Sequence, residues 1–340
     1  MSKIKISFII ISIIFISSFF SCATNSGLTK KKAPEWVSKN EHEYSKDNLC
    51  AVGIARSLDE ANSVAISNIG KIINQKIESE TTFVNSESLS KTGNAETSSS
   101  LNQIVKTSAL IDSLVGVEIA ESWKDKENNY YSLAILNKTK TYLYYSEKIN
   151  QNEKEIKDSC NLVSSDEDKF VIYGKLQNAK NLAKDNEIYL DIIYAVNKAS
   201  YTVTAKTVTT VAKVENILNN FSKTITIKIF AGETNPRIQN FFYDYFSGKG
   251  FSVNSQNPDY ILNYDINIEN TNSGSLFYAR YAFNANLKSI NSDSVIYSFS
   301  TSERIAHKSY EEANQKAIIS LEKKLTKAFD EHFIEGVSLK

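Results

Sequence analysis

The first 22 residues constrain the chain most, because a charged start is followed by an apolar run that ends at a cysteine. Lys3 and Lys5 precede a stretch rich in isoleucine and phenylalanine, and Ser21 stands directly before Cys22. This order is typical of a targeting segment that is removed from the mature protein. The alternative is a spanning helix, but the run contains serines and is short for about 30 Å of hydrocarbon. We therefore expect residues 1–21 to be a signal peptide.

The segment Phe19-Phe20-Ser21-Cys22 resembles the lipobox of bacterial lipoproteins, although its two phenylalanines are bulkier than the strict consensus. The resemblance implies that Cys22 is acylated and becomes the new N-terminus, followed by a polar tether over residues 22–32. Each buried acyl CH₂ group contributes about 0.8 kcal/mol to membrane binding. The resemblance also implies a bacterial cell-envelope protein that is anchored to the outer membrane and faces the periplasm or the cell surface.

The charge balance argues against nucleic acid as a partner. The whole chain has 39 basic and 39 acidic residues, and removal of residues 1–21 takes away two lysines, which leaves 37 against 39. A nearly neutral protein has no positive field with which to hold a phosphate backbone. We expect no nucleic-acid binding.

Two thiols, Cys50 and Cys160, remain besides Cys22. An oxidising compartment allows them to form a disulfide. Their separation along the chain says nothing about their distance in space, so a pair of free buried thiols is the equal alternative.

The spacing of apolar residues along the sequence divides the mature chain into three parts. Residues 33–160 are predicted to form one domain, residues 161–221 a helical connector, and residues 222–335 a second domain. Alternating apolar residues predict strands, and apolar residues at helical spacing predict helices. In the first domain we predict strands at 49–55, 117–123 and 130–136, a helix after the capping box Ser57–Glu60, a polar loop or strand pair at 81–100, and a helix at 142–158.

The second domain repeats this mixture of elements. We predict strands at 224–230, 260–269, 276–289 and 294–304, a helix that begins at Pro236, and a long helix from Ser309. The connector is predicted as one or two helices over 169–200. The expected fold class is therefore α+β: two small domains, each a mostly antiparallel sheet with helices packed on one face, joined by a helical connector.

Residues 34–145 resemble the LPP-twenty family of envelope lipoproteins. This resemblance covers about a third of the chain. Four short segments carry the resemblance: Pro34-Glu35-Trp36, Val52-Gly53-Ile54-Ala55, the helix from Glu60 to Ala65, and Tyr130-Tyr131-Ser132-Leu133-Ala134. It implies a sheet with a helix laid across it. More loosely, residues 222–335 resemble the periplasmic domain of peptidoglycan-synthase activators and of curli-export lipoproteins. Neither resemblance implies a catalytic residue.

The sequence offers few groups for catalysis. It has no glycine-rich phosphate loop, no paired-cysteine metal motif and no histidine pair at helical spacing. The three histidines, His42, His307 and His332, all lie in polar or charged stretches that suggest solvated positions. We expect no enzymatic activity, no metal, no cofactor and no small-molecule substrate.

Aromatic residues are the one marked excess, and dense tyrosines suit protein interfaces. The alternative is a strand or helix with one face in the core and the tyrosines half exposed. The residues predicted as a candidate interface are Tyr142, Tyr144, Tyr145, Phe242, Tyr243, Tyr278 and Tyr281.

These observations together predict a structural or assembly role through contacts with envelope proteins or through self-association. The membrane would be reached through the N-terminal acyl chains. The alternative is a regulator that binds and activates a periplasmic cell-wall synthase.

Overall fold

The computed structural model describes residues 32–39, 42–88, 114–232 and 235–338, with the backbone alone at 79–88 and 338. The predicted fold class is confirmed, since the chain forms two sheets with helices packed on them. Cys22, the predicted signal peptide and most of the predicted tether lie outside the described residues.

The first sheet has three antiparallel strands in the order β1-β3-β2. The strands are β1 (Asn48–Ala55), β2 (Val117–Lys124) and β3 (Tyr130–Asn137), which follow a short helix α1 (Glu35–Ser38). Asp125 forms the β2–β3 turn, because its carboxylate accepts hydrogen bonds from the N–H groups of Glu127 and Asn129, both at 2.8 Å.

Helix α2 (Leu58–Ser88) lies across this sheet and begins where the capping box predicts. The Oγ of Ser57 accepts a hydrogen bond from the N–H of Glu60 at 3.3 Å. The prediction of a loop or strand pair at 81–100 is wrong for residues 81–88, which continue the helix; residues 89–100 lie outside the described part of the chain. Extending a helix that has already formed adds one hydrogen bond per residue, so a polar stretch can follow an apolar one.

The predicted connector is helical. Its helices are α4 (Lys169–Val196), α5 (Lys198–Thr204) and α6 (Val211–Ser222). Helix α3 (Lys138–Asn161) corresponds to the helix predicted at 142–158 in the first domain, and α6 lies beyond the one or two helices placed at 169–200. The N-terminal part of α4 is buried in the core of the second sheet and its C-terminal part in the core of the first. The domain boundaries drawn from the sequence stay predictions.

The second sheet has five strands in the order β5-β4-β6-β7-β8, parallel on the β5-β4-β6 side and antiparallel from β6 to β8. Its elements are β4 (Thr226–Ala231), α7 (Pro236–Gly248), β5 (Ser252–Val253), β6 (Tyr260–Ser273), β7 (Leu276–Ser289), β8 (Val295–His307), α8 (Tyr310–Ala328), a π-helical turn Phe329–Phe333 and α9 (Ile334–Ser338). The side chains of Asn235 and Ser309 cap α7 and α8, and the starts of these helices at Pro236 and just after Ser309 agree with the prediction.

Gly53 allows α2 to approach β1 closely. A Cβ atom at this position would lie 2.1 Å from the carbonyl oxygen of Ala61 and 2.3 Å from the backbone nitrogen of Ala65. Both are backbone atoms, so the helix would have to move away from the strand.

We expect Gly53→Ala to lower the free energy of unfolding by about 3 kcal/mol, because overpacking displaces a helix from its sheet. Gly248→Ala is the matched control, since a Cβ atom there meets nothing within 4 Å, and it should change the stability by less than about 0.5 kcal/mol. Urea unfolding followed by circular dichroism measures both. Equal stability of the two variants would contradict the close approach.

Candidate functional site

The chain that leads out of the tether is fastened to the first sheet by a clasp of three residues, Trp36, Tyr44 and Glu121. The indole Nε1 of Trp36 donates a hydrogen bond to Oε2 of Glu121 at 2.7 Å. The hydroxyl of Tyr44 donates one to Oε1 at 2.7 Å. One carboxylate therefore holds two aromatic side chains that lie eight positions apart in the sequence, and Trp36 is only 4% exposed.

A β-bulge places Glu121 where it can form this clasp. The pairing of β2 with β3 shifts between Ile119, which lies opposite Ala134, and Glu121, which lies opposite Leu133. The extra residue in β2 re-aims the side chain, which is a common use of such bulges. Glu121 then lies on the face of the sheet turned away from α2, since Leu133 alternates with the helix-facing Ala134.

The clasp perturbs the ionisation of Tyr44. The hydrogen bond to Glu121, with burial and the negative charge of that carboxylate, raises the pKa of Tyr44 to about 12. An ionised phenol next to a carboxylate would lose the hydrogen bond and add repulsion. The phenol of Tyr44 is therefore neutral at ordinary pH.

Three of the predicted interface residues are core side chains, and their assignment as interface is wrong. Tyr145 is 1% exposed, and Phe242 and Tyr281 are fully buried. The hydroxyl of Tyr145 accepts a hydrogen bond from the N–H of Val115, and that of Tyr281 donates one to Glu303. Each of these three side chains lies on the face of its helix or strand that packs on the core. Because they are buried there, a partner protein cannot reach them.

The other four predicted interface residues reach the surface on three separate elements. Tyr142 and Tyr144 lie on α3, Tyr243 on α7 and Tyr278 on β7. Tyr144 is 42% exposed, next to Leu143 at 58%. The hydroxyl of Tyr243 accepts a hydrogen bond from Asn254. The structure does not bring the four together into one surface.

Both described cysteines are free thiols. Cys50 lies on β1 of the first sheet, and Cys160 lies near the end of α3, packed against the core of the second sheet. Burial raises the pKa of each thiol, which makes the reactive thiolate less abundant. Of the two alternatives that the sequence leaves open, the structure has the free thiols.

The described residues contain no group of three or more His, Cys, Asp or Glu side chains placed to hold a metal ion. Within the same part of the chain, no helix has the length and apolar character needed to cross a membrane. His307 contacts Glu312 at 2.6 Å, and His332 lies 3.6 Å from Glu331.

A cleft of about 980 Å³ lies between the start of α4 and the second sheet. Lys169 forms an ion pair with Asp259 at 2.8 Å in this cleft. The hydroxyl of Tyr260 donates a hydrogen bond to Asp168, the N-cap of α4. The polar groups of the cleft are thus engaged in fixing α4 to the sheet.

The clasp could not be found from the sequence. The Pro-Glu-Trp segment marks Trp36, but its carboxylate partner lies 85 positions away. Neither Glu121 nor Tyr44 stands in a local pattern that separates it from the other glutamates and tyrosines.

No protein-family model matches the chain, and no curated protein does. Among solved structures, a secreted protein of Helicobacter pylori is 14% identical over 76% of this chain and 88% of its own, with a TM-score of 0.42. A minor lipoprotein of Acinetobacter baumannii is 11% identical over 31% of this chain and 89% of its own, with a TM-score of 0.25. At such TM-scores neither likeness carries an argument about this chain, and the resemblance to the LPP-twenty family stays a prediction.

We expect Glu121→Ala to release Trp36 and to lower the free energy of unfolding by about 2 kcal/mol, because two hydrogen bonds to a charged acceptor are lost. With Trp123→Phe in the background, Trp36 is the sole tryptophan, and iodide quenching reports its exposure. Glu118→Ala, an exposed glutamate on the same strand, is the matched control and should leave Trp36 shielded. Equal quenching in both variants would contradict the clasp.

The pKa of Tyr44 predicts how the clasp responds to alkali. The folded value of about 12 lies above the ordinary value of about 10. The stabilisation is therefore complete below about pH 10 and is lost as the pH rises towards about 12. In the same Trp123→Phe background, the emission of Trp36 should change across this range. Tyr44→Phe should abolish that change, and its persistence would rule Tyr44 out as the cause.

Proposed function

We propose that this chain is a lipid-anchored, non-enzymatic protein of the bacterial outer membrane that assembles with envelope proteins, or with itself, through protein–protein contacts. The observation that carries the proposal is the apolar segment ending at Cys22, followed by a folded body that starts at Lys32. Ten residues reach at most about 35 Å. An acylated Cys22 therefore keeps the first sheet near the membrane surface.

The clasp supports this role by defining where the tether leaves the body. Trp36 is held against β2 through Glu121, so a pull on the tether acts on the first sheet rather than on a loose N-terminal arm. The helix α4, packed in both cores, holds the second sheet in a fixed position relative to the first. A body whose two sheets keep fixed relative positions near a membrane suits a protein that positions partners.

Intact mass of the membrane-extracted protein tests the anchor, with Cys22→Ala alongside it. We expect a chain that begins at Cys22 and carries acyl chains, and a variant that is neither acylated nor retained in the membrane. Cys50→Ala is the matched control and should behave as the wild type. An unprocessed mass with Met1 present would overturn the anchor.

The oligomeric state separates assembly from regulation. Assembly predicts a defined complex of several copies, or a stable complex with another envelope protein, when the detergent-extracted chain is sized by light scattering. The competing role, activation of a cell-wall synthase, predicts a monomer that binds the purified membrane synthase and raises its rate. Stimulation of a synthase by the monomer would overturn the assembly role while leaving the anchor intact.

A further inference from the structure

Two of the chain's four arginines face each other on the outer surface of the second sheet. Arg280 on β7 lies directly opposite Arg304 on β8 in the strand register. Both side chains are exposed, and they point away from the helices, because Ala279 and Tyr281 on either side of Arg280 are buried. The chain uses lysine for its other 35 basic residues, so arginine at two opposed positions is a distinctive choice.

This arrangement costs stability unless something else offsets it. Like charges directly opposite on neighbouring strands repel each other. Glu269 lies opposite Arg280 on the other side. Among the described residues, however, neither guanidinium forms an ion pair with this or any other carboxylate. The positive charge of the pair is therefore available to a partner.

Neighbouring side chains restrict the conformation of the arginine pair, chiefly at Arg304. The guanidinium of Arg304 lies 3.9 Å above the ring of Tyr278, which holds it flat by a cation–π contact. Its Nη2 donates a long hydrogen bond to Thr271 at 3.5 Å. Leu276, 42% exposed, lies two residues before Tyr278 on the same face of β7. Tyrosine and arginine are among the residues enriched where protein partners bind tightly.

We propose that Arg280, Arg304 and Tyr278 bind an acidic segment of a partner protein, with carboxylates paired to the two guanidinium groups. This inference rests on the proposed assembly role and names its surface. The planar guanidinium matches a carboxylate in a bidentate manner. Protein phosphate sites commonly use free backbone N–H groups at a helix start or a loop. Here Arg280 lies in the middle of β7, an interior strand whose N–H groups pair with β6 and β8, so the site is built on guanidinium groups, and their charge complementarity favours carboxylates.

Fluorescence anisotropy with a labelled decaglutamate peptide tests the pair on the detergent-extracted full chain. We expect Arg280→Gln with Arg304→Gln to weaken binding at least about tenfold, since charged interface pairs contribute several-fold each. The control, Lys228→Gln with Lys288→Gln, also removes two positive charges from this face of the sheet. It should change binding less than about twofold. Equal losses in the two double variants would overturn the proposal, because net charge alone would then explain binding.

Further measurements separate the fork geometry, the ligand class and folding. Arg280→Lys with Arg304→Lys keeps the charge but not the planar fork, and should still bind more weakly than the wild type; wild-type binding would overturn the bidentate contact. Inorganic phosphate or phosphatidylglycerol vesicles that displace the peptide equally from the wild type and from the Lys228/Lys288 double variant, whose arginines are intact, at equal salt would also overturn the carboxylate assignment. The Tm of the glutamine double variant should equal or exceed that of the wild type, and a large fall would mean that the arginines are structural. None of these readouts depends on acylation of Cys22, so failure here and failure of the anchor are distinguishable.

Discussion

The burial of one helix in two cores holds the molecule together. Phe170 and Leu176, near the start of α4, pack in the core of the second sheet, and Ile192 and Ile193, near its end, pack in the core of the first. A helix of 28 residues spans about 42 Å. Moving one sheet relative to the other would expose apolar side chains at one end of this helix, at about 25 cal/mol for each Å². The predicted connector is thus a shared structural element.

Buried polar contacts fix the neighbouring helices and the second sheet to α4. Glu153 on α3 is 5% exposed, and its carboxylate accepts hydrogen bonds from the side chain of Asn186 on α4 and from the N–H and hydroxyl of Thr209. A buried carboxylate is tolerated when protein donors replace its water. At the start of α4, burial acts to raise the pKa of Asp259, but hydrogen bonds from Lys169 and Thr226 outweigh it and leave the pKa lowered. The orientation of α4 is therefore set by hydrogen bonds and an ion pair as well as by apolar burial.

Local signals in the sequence predict the elements, and long-range contacts decide what the side chains do. Ser57 and Ser309 mark the helix starts correctly, because a cap is formed within four residues. Tyrosine density does not distinguish Tyr144 on the surface from Tyr145 in the core, since adjacent positions of a helix point in different directions. The partner of Trp36 lies on a strand far along the chain, where a bulge turns its carboxylate, and neither fact leaves a local pattern.

A continuous path of packed elements links Trp36 to the arginine pair. The clasp joins Trp36 to β2, β2 pairs with β3, and the first core holds the end of α4. The start of α4 is in turn bound to the second sheet through Lys169 and Asp259. Within the described residues, every step of this path is a packed or hydrogen-bonded contact. An acyl chain on Cys22 would therefore hold a body in which Arg280 and Arg304 keep a fixed position relative to Trp36, within the reach of the tether from the membrane, so the fold would limit where an acidic partner binds.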